Sequence, residues 1–213
     1  GTLFFIANDG ASTSGLWKSD GTAAGTALIK QFASFWEPGL EQPFATLDGV
    51  VYFSASDGVG GVELWKSDGT ESGTVQVNDI FAGPAGSYPA NLLACGGIVY
   101  FTANDGVAGT ELWKSDGTEA GTVRVKDILV GASSAFSGTH AGLLTNVDGT
   151  LYFVAGSSQD NVELWKSDGT AAGTVRVKEI RLGGGSGATP REQTGSGTGG
   201  DGCEQAATID RHG

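Results

Sequence analysis

An eight-residue motif that occurs four times constrains this chain more than any other feature. The sequence ELWKSDGT stands at residues 63–70, 111–118 and 163–170, and GLWKSDGT stands at 15–22. The motif tryptophans are 48, 48 and 52 residues apart, so the chain carries a long-period internal repeat. The repeat predicts one domain over residues 1–182, with units at about 1–32, 33–80, 81–128 and 129–180.

Each unit has the pattern of short β-strands separated by turn residues. Asp-Gly or Gly-Gly precedes a strand such as VVYFSAS at 50–56, and the Asp-Gly of SDGT precedes β-branched residues such as TVQV at 74–77. These are hairpin signals, and together they predict four strands per unit and almost no helix. The first unit starts directly at its second strand and lacks the leading strand.

Pairs of adjacent bulky residues, such as Tyr52-Phe53 and Leu64-Trp65, recur in the units. Successive residues of a strand point to opposite faces, so each small sheet is apolar on both faces and both must be covered. We therefore predict an all-β fold: a β-propeller of four-stranded antiparallel blades, complete in four repeats or part of a larger or oligomer-completed ring. A linear β-solenoid or stack is the alternative.

The net charge of −12 bears on the choice of partners. A strongly acidic surface repels phosphate backbones, so we expect no nucleic-acid partner, whereas neutral sugars and divalent cations stay open. No apolar run approaches the ~18 residues of a membrane-spanning helix, so membrane insertion is not expected. Residues 183–213 are rich in Gly and Ser and have the composition of a linker-like tail.

The ELWKSDGT copies resemble the ELWxxDGT repeat of large secreted or surface-attached bacterial proteins. The resemblance covers residues 1–180, and Gly15 departs from it in the first unit. It implies an extracellular or cell-surface repeat protein with propeller-like blades, in a family that brings no catalytic residues to transfer. The chain begins at Gly1 without Met, which suggests a product of a longer precursor.

Two aromatic residues in the inter-unit links, Trp36 and Tyr88, are the candidate ligand-binding residues. Exposed loop aromatics can stack on sugar rings, although either residue could instead plug the adjacent blade. The motif tryptophans are assigned to the core, because they share one register in every unit. They are Trp17, Trp65, Trp113 and Trp165.

The motif aspartates are assigned to turn formation, because an Asp side chain accepts hydrogen bonds from amides two residues on. They are Asp20, Asp68, Asp116 and Asp168. The motif lysines are expected to pair across their own hairpin with the acidic residue fourteen positions after Trp. The lysines are Lys18, Lys66, Lys114 and Lys166, and the acidic residues are Asp79, Asp127 and Glu179.

A second acidic set brackets a glycine-bearing link in two units, with Asp57 and Glu63 in one and Asp105 and Glu111 in the other. Carboxylates and nearby carbonyls are the oxygen ligands that Ca²⁺ prefers, so these pairs are candidate calcium ligands. A loop capped by its own Asp is the alternative. The two cysteines, Cys95 and Cys203, are a candidate disulfide.

These features favour a non-catalytic scaffold or binding module for recognition or adhesion at a surface, with a glycan or a surface protein as ligand. A purely structural, self-associating module is one alternative, with a homo-oligomer or further repeats of a longer parent completing the ring. A glycoside hydrolase is the other, because an acidic pair across a propeller mouth could act on a glycosidic bond.

Overall fold

Sixteen strands and no helix form in the part of the chain that the structure describes. That part of the computed structural model is residues 1–8, 10, 13–36, 43–136, 143–156 and 162–179. The strands form four antiparallel sheets, one for each copy of the motif, which confirms the all-β prediction. We number these sheets blades 1 to 4 in chain order.

The strands follow the predicted units. Blade 1 contains β1 (Leu3–Asn8), β2 (Ser14–Ser19) and β3 (Ala27–Phe32). Blade 2 contains β4 (Ser34–Phe35), β5 (Phe44–Leu47), β6 (Val50–Ser56), β7 (Glu63–Ser67) and β8 (Val75–Asn78). Blade 3 contains β9 (Ala90–Cys95), β10 (Ile98–Asn104), β11 (Thr110–Ser115) and β12 (Val123–Lys126). Blade 4 contains β13 (Thr145–Val147), β14 (Thr150–Gly156), β15 (Val162–Ser167) and β16 (Val175–Arg176).

Strand order within a blade is sequential, as consecutive hairpins require. Blade 3 runs β9-β10-β11-β12 and blade 4 runs β13-β14-β15-β16. In blade 2 the short strands β4 and β5 pair with successive parts of the same edge of β6, so together they take the place of one strand. Blade 1 has the three strands β1-β2-β3, as the sequence predicted.

The hairpin turns before the second strand of blades 2 to 4 require positive φ at both central residues. Asp48-Gly49 has φ of 51° and 78°, Gly96-Gly97 has 60° and 79°, and Asp148-Gly149 has 50° and 79°. Asp and Gly tolerate this left-handed region better than other residues, and the resulting turn matches the twist of the flanking strands. The dipeptides therefore set the register of each hairpin.

A β-bulge lies opposite the Leu-Trp pair of the motif in blades 1 to 3. In blade 2, Leu64 lies opposite Asn78 while Trp65 lies opposite Gln76, so Val77 is an extra residue on β8. The extra residues Ile29, Val77 and Val125 are buried in the contacts with the following blade. The bulge thus turns one more apolar side chain toward the next sheet.

The blades pack face to face, and each contact has its own apolar core. We call these contacts joints 1–2, 2–3 and 3–4. Joint 2–3 packs Tyr52, Leu64 and Val77 of blade 2 against Phe101 and Trp113 of blade 3. The same positions of the neighbouring blades form the cores of joints 1–2 and 3–4. The middle blades are covered on both faces, which confirms the inference from adjacent bulky residues.

The motif lysines cross these joints. Lys66 Nζ donates to the carbonyl oxygen of Gly117, 2.8 Å away in the SDGT turn of the next blade. Lys18 donates in the same way to Gly69 and Lys114 to Gly169, each at 2.8 Å. The predicted pairing with an acidic residue of the same hairpin is therefore wrong. The aliphatic part of the lysine side chain passes over the apolar joint and brings the ammonium group to the turn of the next blade. The spacing of residues within one unit does not predict a contact with another unit.

Candidate ligand-binding site

The link segments that connect the blades carry the candidate binding residues. Trp36 directly follows β4, and its backbone N–H donates to the carbonyl of Ser54 at 3.0 Å. The backbone N–H of Tyr88 donates to the carbonyl of Val62 at 3.1 Å. The Ser54 hydroxyl also donates to the carbonyl of Pro89, next to Tyr88. Strand β6 therefore anchors both links, although the links are about fifty residues apart in the sequence.

Trp36 and Tyr88 meet in space and form an exposed aromatic pair. Their ring centroids are 4.9 Å apart and their planes are inclined by 69°. Trp36 is 40% exposed and Tyr88 is 44% exposed, and no other aromatic side chain in the described residues belongs to the exposed class. The edge-to-face arrangement holds the two rings at a fixed angle and leaves ring surface open to solvent.

Two further link aromatics, one next to Trp36 and one in the link before blade 4, are packed instead. Phe35 pairs with Ala55 on β6 and packs on Phe53, with ring centroids 5.9 Å apart. Phe136 bridges to Gly156 and packs on Phe153 at 5.6 Å. These residues have the plugging role that the sequence left open for Trp36 and Tyr88. The contrast shows that an inter-blade link does not require an exposed ring.

Tyr88 has an unusual backbone conformation, with φ of 50°. A bulky residue in the left-handed region costs roughly 1–2 kcal/mol, and such strain persists only where surrounding contacts over-determine it. Here the preceding residue is held firmly, because the N–H and the hydroxyl of Ser87 both donate to the buried carboxylate of Glu63. Glu63 is thus a positioning residue for the Tyr88 ring.

Glu63 and Glu111 both hold an inter-blade link from inside the protein. Besides Ser87, Glu63 accepts the N–H groups of Ile80 and Phe81 at 3.1 and 3.2 Å. Glu111 accepts the N–H of Ile128 at 2.9 Å. Burial raises the pKa of both carboxyl groups, that of Glu111 to about 7. The sequence does not predict this role, because the donors are mostly backbone N–H groups of links whose composition differs between units.

The candidate calcium ligands face different partners. Asp57 accepts the N–H of Val59 at 2.9 Å, and Asp105 accepts the N–H groups of Val107 and Ala108. Asp105 also forms an ion pair with Arg124 at 2.7 Å. Each Asp therefore caps its own loop, while each Glu binds the amides of a link. Within the described ranges no three His, Cys, Asp or Glu side chains form a group that could hold a metal ion.

The motif aspartates hold the SDGT turns. Asp68 Oδ1 accepts the N–H and the hydroxyl of Thr70 at 2.8 and 2.7 Å, and the Thr70 hydroxyl accepts the N–H of Gly73 at 2.9 Å. The Thr hydrogen bonds lower the pKa of all four aspartates. Equivalent bonds occur at Asp20, Asp116 and Asp168.

The motif tryptophans lie on the blade faces. Trp65 and Trp113 are buried in joints 1–2 and 2–3. Trp17 and Trp165 are half-buried, and the indole N–H of each donates to a backbone carbonyl, of Ala7 and Ala155, at 3.2 Å. The rings thus pack between sheets, and the indoles add little to the solvent-facing surface of the middle blades.

Cys95 is buried on β9. Cys203 and the tail at 183–213 lie outside the described residues, so their pairing stays a prediction of the sequence.

No family model and no curated protein matches this sequence. Solved structures do match. A puromycin hydrolase structure superposes with a TM-score of 0.51 at 17% identity, covering 84% of this chain and 28% of that one. Its S511A mutant complexed with PGG gives 0.50 at 17% identity and the same coverage. TolB from Acinetobacter baumannii gives 0.47 at 13% identity, covering 78% of this chain and 38% of TolB.

These similarities concern the fold. This chain spans about a quarter of the length of the puromycin hydrolase structures that it matches. The neighbours are β-propeller proteins, and the four stacked antiparallel sheets place this chain in the same structural class. It is a β-propeller-type repeat protein with one blade for each ELWKSDGT or GLWKSDGT motif. In the residues that the structure describes, no helix has the length and apolarity that a bilayer crossing needs.

Proposed function

We propose that this chain is a non-catalytic, extracellular propeller scaffold that binds a glycan at a surface through the Trp36–Tyr88 pair. The observation that carries the proposal is the meeting of two exposed rings from separate links, at 4.9 Å, in a fold whose other described aromatics are buried or half-buried. The extracellular location rests on the resemblance of the motif to secreted and surface-attached proteins.

The geometry of the pair suits a pyranose ring. Two ring planes inclined by 69° form a corner that can contact two sides of a sugar, with apolar C–H groups against the ring faces. Rigid aromatic side chains lose little conformational entropy on binding, and the strained backbone of Tyr88 helps to hold its ring in place. The pair is therefore preorganised for a small, flat apolar surface.

The net charge of the chain favours uncharged ligands over anionic ones. The chain carries a net charge of −12, which opposes the approach of sulfated or phosphorylated polymers. A neutral glycan avoids this repulsion. A surface protein is the other ligand that the sequence predicted, and the same aromatic pair could anchor a protein segment.

The test is a screen of neutral and acidic glycans followed by calorimetric titration of any hit. We expect binding to neutral glycans, with Trp36→Ala and Tyr88→Ala each weakening it by about tenfold or more. Tyr88→Phe keeps the ring and should retain most of the affinity. Val59→Ala changes a side chain that is 80% exposed on another loop and serves as the matched control.

Absence of glycan binding, or binding that both ring deletions leave unchanged, would refute the proposed function. Thermal unfolding of each variant separates loss of the site from loss of the fold.

Repeating the titration with calcium and with EDTA tests the calcium prediction for Asp57, Glu63, Asp105 and Glu111. Turnover of a bound glycan would favour the glycoside hydrolase alternative.

A further inference from the structure

The three joints repeat one set of polar contacts at equivalent positions. In each, the motif lysine donates to a Gly carbonyl of the next blade, and the residue thirteen positions after Trp donates to a carbonyl of the same turn region. These second contacts are Lys30 to Thr74 at 3.2 Å, Asn78 to Glu119 at 3.1 Å and Lys126 to Thr174 at 2.7 Å. A blade thus has a donor face toward its successor and an acceptor face toward its predecessor.

Blade 4 and blade 1 each present an unused half of this joint. On blade 4 the equivalent donors are Lys166 and Lys178, which are exposed and have no acceptor among the described residues. On blade 1 the equivalent acceptors are the carbonyls of Gly21 and Thr26. Gly21 is exposed, whereas the corresponding Gly69, Gly117 and Gly169 are buried under a lysine and an aromatic side chain of the preceding blade.

Apolar side chains on the two end faces are also left uncovered. Leu3 on blade 1 is 38% exposed, whereas the equivalent Val51, Val99 and Leu151 are 1%, 0% and 2% exposed. On blade 4, Val177 is 46% exposed, whereas Ile29, Val77 and Val125 at that position are 6%, 6% and 5% exposed. Each end therefore exposes side chains that the three joints bury.

We infer that blade 4 of one molecule docks on blade 1 of a second copy of this chain and forms a fourth joint of the same kind. Complementarity is supported by the three joints within the chain, in which equivalent faces fit each other, although the blade 1 face lacks the leading strand that the other blades contribute. The contact is head to tail, so it uses two different surfaces of each molecule and can close into a ring or extend. Within the described strands, blade 4 does not pair with blade 1 of its own chain.

The surface is separate from the Trp36–Tyr88 pair, which lies at the links between blades 1, 2 and 3. Self-association and glycan binding can therefore fail independently. Burial of Leu3, Val177 and the ends of the lysines would supply an apolar centre with a polar rim, the arrangement that stable protein interfaces share.

The experiment uses two variants of the full chain, each with one face disabled. Variant A carries Lys166→Glu and Val177→Glu on blade 4, and variant B carries Leu3→Glu on blade 1. Sedimentation velocity over a range of concentrations measures the mass of the wild type, of each variant and of their equimolar mixture. Val130→Glu changes a side chain that is 91% exposed outside both faces and is the control.

We expect the wild type and Val130→Glu to associate, and variants A and B to be monomers when alone. Mixed together, A and B should form a dimer, because A retains the blade 1 face and B retains the blade 4 face. Each variant should weaken self-association by about tenfold or more. Circular dichroism melting curves that match the wild type show that the variants are folded.

Three results would overturn the inference. They are a wild type that stays monomeric at the highest concentration, a single variant that associates like the wild type, and a mixture of A and B that stays monomeric while the wild type associates. The last result would indicate a symmetric contact elsewhere on the molecule. If a variant fails to fold, Lys166→Gln with Lys178→Gln removes both donor charges at exposed positions and repeats the test.

Discussion

Glu111 shows how a single residue of the repeat can link stability to pH. Its carboxylate is buried and accepts backbone N–H groups of the link to blade 4, including those of Ile128 and Leu129. Burial, aided by the nearby charge of Asp127, raises its pKa from 4.5 to about 7. Since the folded pKa is higher than the unfolded one, its contribution to stability is complete below pH 4.5 and is lost as the pH rises through 7.

We predict that Glu111→Gln reduces the fall in stability between pH 4.5 and pH 7.5. The wild type should lose up to about 3 kcal/mol over this range through Glu111. The amide cannot ionise, so the variant should lose less. Urea unfolding at several pH values measures the difference. The motif aspartates do not interfere, because their lowered pKa places their loss of stability below pH 4. An unchanged pH dependence in Glu111→Gln would contradict the prediction.

At the scale of the element, the same SDGT turn has different surroundings in different blades. Ser67 exchanges a buried hydrogen bond with Thr74 at 2.7 Å and accepts the N–H of Gly69 at 3.1 Å. Ser19 makes the same bonds to Thr26 and Gly21, but these are exposed to solvent. If the serine hydroxyl is removed, water can bind the groups left unpaired at Ser19, but it cannot reach those at Ser67.

Ser67→Ala should therefore lower the free energy of unfolding by about 1–3 kcal/mol, because it leaves buried polar groups unpaired. Ser19→Ala should cost less than about 0.5 kcal/mol in the monomer, because its partners are already accessible to water. Chemical unfolding of the two variants side by side gives the comparison. Equal losses would show that the turn itself, rather than its burial, sets the energy.

At the scale of the whole molecule, stability resides in the joints between blades. Each blade contacts its neighbours, so the molecule resembles a linear array with nearest-neighbour contacts. Leu64 is fully buried in joint 2–3, whereas the equivalent Leu164 on the outer face of blade 4 is half-buried. Identical residues in identical motifs thus differ in packing because of their place in the array.

Leu64→Ala should cost about 2–5 kcal/mol, since it removes buried methyl groups and leaves a cavity in joint 2–3. Leu164→Ala should cost clearly less in the monomer. Its cost should rise at concentrations where copies associate, if blade 4 docks on a second copy. Thermal unfolding at low and high protein concentration tests both statements, and a concentration-independent Leu164→Ala effect would speak against docking on that face.

Regular features of the molecule followed from the sequence. Asp-Gly and Gly-Gly dipeptides predicted the hairpins, and adjacent pairs such as Tyr52-Phe53 predicted sheets covered on both faces, because the direction of a side chain in a strand depends only on its position. The links were less predictable. The sequence places Trp36 and Tyr88 in links, but their spacing does not predict that they meet. They meet because β6 anchors both links.

What the sequence by itself determined is therefore local and periodic: the strands, the turns and the apolar faces of each blade. What only the tertiary structure decided is which groups meet across a joint. Lys66 was expected to bind a carboxylate of its own hairpin, and it binds the carbonyl of Gly117 in the next blade instead. Glu63 was a candidate calcium ligand on sequence grounds, and the structure shows that it also holds the link that carries Tyr88. Backbone carbonyls and amides are present at every residue, so sequence alone cannot indicate which of them a distant side chain will reach.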